Sequence, residues 1–292
     1  MEKRNVVSVR SILDRCLRVV GFLRRLARSR SGFVGLLILG LWISIMLVTI
    51  FWTPHSTSDF HFASRLQPPS LKFPFGTDKF GRDVLSRVLA GCKEVILLAL
   101  TGTLLAVSLG TLIGLTTGYF GKWYDEIVMR FMDIFMSFPG LLMALLVLAV
   151  LGPGWVNVII VIGVVFSPRV ARVARGAVLD IKNKEFLEAA KSRGENSFYI
   201  MGIEILPNIL GPLGVEFSVR FAYSIFLSAS LGFLGMGVQP PTPDWGLMVN
   251  EGRDFIKVAP WIAAFPALAI ASLVISVNLL SDAIRQLAAG EI

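Results

Sequence analysis

His55, Asp59 and His61 lie close together, and two imidazoles with a carboxylate are the beginning of a metal site. Further ligands at metal spacing are lacking, so these read as solvated loop residues, and no metal is assigned. Nor does the chain hold G-x-x-x-x-G-K-[ST], whose backbone would cradle phosphates and whose hydroxyl would hold Mg²⁺. It carries no nucleophile motif, and no cofactor is assigned. The remaining pair is Glu216 and Arg220, four residues apart in the order that favours an ion pair on a helix. Charges inside a span face a cavity or a partner by default. Glu216 could equally reach water at a nearby helix end.

The surrounding elements are apolar. Of 292 residues, 54% are hydrophobic and 16% charged, against about 25% charged in a soluble domain. Blocks at 33–53, 95–121, 134–168, 221–243 and 258–281 hold no Asp, Glu, Lys or Arg. About 20 such residues cross a bilayer as a helix. The third block is too long for one span, and Gly152-Pro153-Gly154 supplies a turn inside it. The fifth span begins near residue 210. The expected fold is all-α, with about six transmembrane helices near 33–53, 95–119, 132–151, 156–175, 210–236 and 260–283.

The net charge of +8 would suggest nucleic acid as a partner of a soluble protein. Here it is read as cytoplasmic excess of Lys and Arg, and no nucleic-acid partner is assigned. Basic residues crowd the segment before the first span and the loop between the fourth and fifth. Six spans place both on the cytoplasmic side, with both termini. Cys16 and Cys92 fall on opposite sides and cannot pair. The expected organisation is a basic tail at 1–32, amphipathic at 11–28 and lying on lipid; a first span with an external loop at 33–94; and a transmembrane core at 95–285.

That core carries a long cytoplasmic loop, 176–209. Asn183 can cap a helix over 184–193, and Gly194 can end it in the left-handed conformation. Asn196 or Ser197 then caps a second short helix, which Pro207 ends. Ala189 and Ala190 would let another surface approach closely. Phe186, Leu187, Phe198, Tyr199 and Ile200 would give the knob an apolar docking face. An alternative is a surface loop resting on lipid headgroups.

Glu188-Ala189-Ala190, Gly194 and Leu206-Pro207-Asn208 resemble the EAA loop of permease subunits in bacterial ABC importers. The run from Gly76, Thr77 and Asp78 through Gly81, Arg82 and Asp83 to Ser86 and Arg87 resembles the GTDxxGRDxxSR segment of the dipeptide/oligopeptide group. Phe233-Leu234-Gly235 through Pro240-Pro241 to Trp245-Gly246 resembles that group's FLGxGxxPPxPxWG segment. The likeness covers about 70–285. Two positions depart from the pattern: Glu204 stands where the group usually has His, and Ser228 where many members carry Glu.

The resemblance implies a type I ABC importer permease in a bacterial or archaeal cell membrane. Its implied partners are a second related permease, two ATPase subunits that grip the EAA loops, and an extracytoplasmic binding protein. Dipeptides or oligopeptides are the implied substrates, with nickel, glutathione or oligosaccharides as alternatives. The chain itself is then a transport subunit rather than an enzyme. An ion-coupled secondary transporter would place ionisable groups and broken helices mid-membrane, whereas these blocks are nearly charge-free. The outer turn at 76–83 reads as structural, with Asp83 capping the next helix and Arg82 pairing with Asp78. Trp245 and Trp261 read as an outer interfacial belt.

Overall fold

The computed structural model describes residue 21 and residues 24–289. The proposed amphipathic segment 11–28 and Cys16 fall largely or wholly outside these residues. Nine helices are named here: α1 (Arg30–Thr49), α2 (Val84–Phe120), α3 (Lys122–Ser137), α4 (Gly140–Leu151), α5 (Trp155–Ile181), α6 (Glu185–Ser192), α7 (Ser197–Phe233), α8 (Trp245–Arg253) and α9 (Trp261–Ala289). Five are long and apolar enough to cross a membrane, and α3 with α4 makes a sixth crossing bent by 94°.

Close packing establishes that α3 and α4 cross rather than return. A Cβ added to Gly102 would lie 2.8 Å from Ile162, one on Gly110 2.5 Å from Val170, one on Gly114 2.5 Å from Ala174, and one on Gly118 2.8 Å from Val178. The offset stays at sixty residues, so α2 and α5 run parallel. The chain leaves α2 at one end and enters α5 at the other, and the segment between must traverse the full depth. Gly102, Ala106, Gly110, Gly114 and Gly118 recur every fourth residue. In lipid, where helices gain nothing by leaving water, such small residues let backbones approach and pack.

At the opposite flank α1 runs antiparallel to α9. Gly35 lies against the Ser276 carbonyl and Leu280, while Trp42 donates to Ser272 Oγ at 2.9 Å. Leu26 continues the contact to Leu280 and Ala283. The described N-terminal residues and the end of α9 therefore share one side, as six crossings require.

Three elements differ from the sequence reading. First, α2 begins at Val84, eleven residues before 95. Arg87, Lys93 and Glu94 interrupt the apolar block, but Asp83 caps the helix ahead of them by accepting from Leu85 and Ser86 N–H. Second, the helix expected over 132–151 is broken. Pro139 disfavours helical backbone in the residue before it, and Phe138 is extended, with ψ 139. Third, Pro207 does not end the second knob helix. The chain widens to π geometry over Ile200–Ile205, where Leu206 N–H reaches Met201 O. This wide turn admits a ring that would otherwise meet the preceding carbonyls.

Candidate functional site

The cytoplasmic knob is built on its own core. Leu187 and Ala190 of α6 are buried with Ile200, Met201 and Ile205 against Leu115 of α2 and Val170, Ala174 and Val178 of α5. Burying a leucine stabilises by about 1.5–3 kcal/mol, so α6 is anchored to the spans. Its start is at Lys184, without a side-chain cap, rather than at Asn183. At the other end Gly194 takes φ +77. Its N–H bonds to Lys191 O at 2.9 Å, and Glu195 N–H bonds to Ala190 O at 3.3 Å. This paired closure uses the left-handed residue that glycine supplies. Asn196, rather than Ser197, caps the next helix by accepting from Tyr199 N–H at 2.7 Å.

The faces of the knob divide accordingly. Ala190, Leu187 and Ile200 point inward, so they hold the knob and do not meet a partner. Glu188, Ala189, Gly194, Pro207 and Asn208 are exposed, and Phe198 is 83% exposed. Glu204 is engaged within the chain: Arg193 Nη2 donates to its carboxylate at 3.3 Å. Asn208 Nδ2 donates to the Glu204 carbonyl at 2.7 Å. The departure at Glu204 thus has a local partner that spans the two knob helices. Ser228 is buried and gives its hydroxyl to Ile225 O.

On the outer side the motif at 76–83 is locked. Asp78 accepts from Phe80 N–H at 2.8 Å and Arg82 N–H at 3.0 Å, and Arg82 Nε donates to it at 2.6 Å. Arg82 and Arg87 also face Glu251 of α8 at 3.1 and 3.6 Å. Thr77 Oγ1 donates to Ser64 O at 2.5 Å and accepts from Gln67 N–H. Asp83 binds Ser86 Oγ at 2.6 Å and faces His55 Nδ1 at 3.2 Å. Gly76 and Gly81 have φ +70 and +79; a side chain at Gly81 would strike the His61 carbonyl. The four groups Asp78, Arg82, Arg87 and Glu251 are nearly withdrawn from water, where removing one leaves a buried charge unpaired. Glu251 escapes sequence inspection because it is remote in the chain and belongs to no resembling segment.

The tryptophans also differ from a lipid belt. Trp245 is fully buried, and its indole N–H donates to Val88 O at 2.8 Å. Trp261 donates to Thr77 O at 3.1 Å. Both tie α8 and α9 to the outer motif. Asp244 caps α8 by accepting from Leu247 N–H at 2.7 Å. Burial pushes its carboxyl up to about 6, against the hydrogen bonds that favour its charged form.

Within α7, Arg220 Nε donates to Glu216 at 2.6 Å. The guanidinium stands 5.1 Å from the Tyr223 ring centre and borders a cavity of about 310 Å³ between α4, α5 and α7. Of the pair, Arg220 faces the cavity, and Glu216 is not among the residues that line it.

Six crossings, an outer cluster of ion pairs and an inner knob are the build of a polytopic α-helical membrane protein. The family model of the binding-protein-dependent transport system inner membrane component matches residues 110–289, and this chain belongs to that family of ABC importer permeases. Among its relatives is the dipeptide transport system permease protein DppC of Alkalihalophilus pseudofirmus, 37% identical over 265 residues, spanning 90% of this chain and 86% of that protein. The glutathione transport system permease protein GsiD of Pectobacterium atrosepticum is 38% identical over 269 residues, spanning 90% and 88%. A chain of the inward-facing MetNI methionine ABC transporter shares the fold, with TM-score 0.55 and 17% identity over 70% of this chain and 96% of that one.

Proposed function

We propose that this permease imports short peptides, pairs with a second related permease, and is driven by two ATPase subunits that dock on its knob. An extracytoplasmic binding protein delivers the peptide. The observation that carries the coupling role is the division of the knob: an inward face of Leu187, Ala190 and Ile200 fastened to three spans, and an outward face of Glu188, Ala189 and Phe198 left for another surface. A loop resting on headgroups would have no need of so firm a base. Force applied to Glu188 and Ala189 would pass through that base into α2, α5 and α7. ATP can bias the permease only if the ATPases contact its two states differently, and the knob offers that contact.

Peptides are the favoured cargo because the relatives above carry dipeptides and glutathione in their names, and glutathione is itself a peptide. The outer motif at 76–83 acts as scaffold in this reading, positioning α2 and α8 beneath the binding protein.

Glu188→Arg tests the coupling role, since the side chain is exposed and its replacement leaves the core of the knob intact. The variant is expected to reach the membrane in normal amount and melt as the wild type does. Stimulation of ATP hydrolysis by peptide-loaded binding protein should be lost. Unchanged stimulation in the reconstituted assembly would remove the knob from the mechanism.

A further inference from the structure

Three arginines climb α5 at intervals of three residues: Arg175, Arg172 and Arg169. Arg175 donates to both oxygens of Asp125 on α3, at 2.5 and 2.6 Å. Arg172 meets Asp133, two turns further along α3, at 2.5 Å. The ladder then stops. At Phe138-Pro139 the α3–α4 segment bends by 94°; Phe135, Met136 and Phe138 lie beside Arg169, but residues 134–168 include no acid to answer it. Arg169 instead borders the cavity of about 310 Å³, with Gly140, Phe166, Arg220, Tyr223 and Phe226. Among the described residues it has no carboxylate partner, in contrast to Arg172, Arg175 and Arg220.

Its depth matters. Arg169 stands 14 residues after Trp155 and 12 before Ile181, about 20 Å from either end of α5. A cation there is expensive unless something answers it, and ionisable groups at such depth mark pathways. The helix continues through this level but lacks one backbone hydrogen bond. Pro168 cannot donate to Val164 O, and Ser167 Oγ takes that carbonyl at 3.2 Å.

The charges of the site sum to one surplus cation. Glu216 answers Arg220, and Arg169 is left over. The walls otherwise are aromatic and aliphatic. Leu141, Phe226 and Ser230 also border a second, apolar cavity of about 580 Å³, which reaches outward to Phe233 and Val249. Both volumes fall in the range of small-molecule sites.

From this arrangement we infer that Arg169 receives the terminal carboxylate of the transported peptide at mid-membrane, with the peptide's apolar side chain in the outer cavity. Arg220, held in place by Glu216, supplies a second positive edge and a cation over the Tyr223 ring. A guanidinium fork matches a carboxylate in two parallel hydrogen bonds. This inference rests on the peptide reading of the permease and adds where and by which end the peptide is held.

The test uses the complete assembly in lipid nanodiscs, with alanyl-photoleucine as probe and its C-terminal amide as comparison. Photolabelling mapped by mass spectrometry is expected at the cavity wall formed by Phe166, Tyr223 and Phe226. Labelling should fall about tenfold for the amide and in Arg169→Gln, and Arg169→Lys should recover part of it. Equal labelling by acid and amide, or no labelling of the wall, would overturn the assignment. Loss of the second permease from purified Arg169→Gln assemblies would also overturn it, because the arginine would then answer an acid of that subunit. The labelling needs neither ATP nor uptake. If the wild type imports no dipeptide but is labelled, the cargo reading fails while the site stands.

Discussion

At the scale of single residues, burial rather than catalysis sets the unusual chemistry. Asp244 is the case that can be titrated. Its carboxyl lies beside Gly232 and Gly237 and is pushed up to about 6 from the ordinary 3.8. The folded protein thus holds this proton more tightly than the unfolded chain does. The resulting stabilisation is complete below about 3.8 and is lost as pH rises through about 6, a change on the order of 3 kcal/mol. Asp244→Asn keeps a good capping residue and removes the ionisation. Its melting temperature relative to the wild type should therefore rise between pH 4 and pH 6.5 and level off above. A constant difference across that range would show that the carboxyl does not titrate there. The sequence made Asp83 legible as a cap because its helix follows directly. The niche around Asp244 depends on two glycines brought together by folding, and no local pattern announces it.

Among the elements, the α2–α5 pair is the most sensitive contact. A Cβ at Gly114 would lie 2.5 Å from both the Ala171 carbonyl and Ala174 Cβ, inside two backbones that cannot yield separately. Gly214 on α7 has open space around it. Gly114→Leu should therefore destabilise the fold by at least the roughly 1–3 kcal/mol typical of overpacking, whereas Gly214→Ala should leave it unchanged or slightly firmer. Thermal unfolding in detergent distinguishes them, and similar midpoints would contradict the close approach. The every-fourth-residue series from Gly102 to Gly118 was available in the sequence as a signal for this pair. The apolar blocks told where helices cross, because length and charge settle that. By themselves they could not tell that α3 and α4 bend, because Pro139 lies inside a charge-free run, or that α2 reaches past Glu94 and Arg87 to the cap at Asp83, because an apolar block ends where charge begins. At the knob, Gly194 and Asn196 were legible because turns are local. The inward facing of Ala190 was not, because it depends on Val170 and Val178, which lie across the fold.

For the molecule as a whole, six crossings place the knob and the outer motif on opposite sides. Leu71 and Phe198 are both strongly exposed, and Cys92 is buried. In cells where Cys16 has been replaced by Ser, a membrane-impermeant maleimide should label Leu71→Cys from outside. It should label Phe198→Cys only after the membrane is opened. The opposite pattern would invert the topology, and labelling of both from one side would mean that α3 and α4 do not cross.

The length of α2 and α7 has a mechanical meaning. Each runs for 37 residues, α7 with a π turn near its start, about 55 Å of rod through a hydrocarbon layer of about 30 Å. Such rods project well beyond the layer and can behave as levers, with the membrane as fulcrum. Tilting one by about 5° about its middle carries each end through roughly 2–3 Å, in opposite directions. A modest nudge beneath the bilayer would then carry the outer end of such a rod the opposite way.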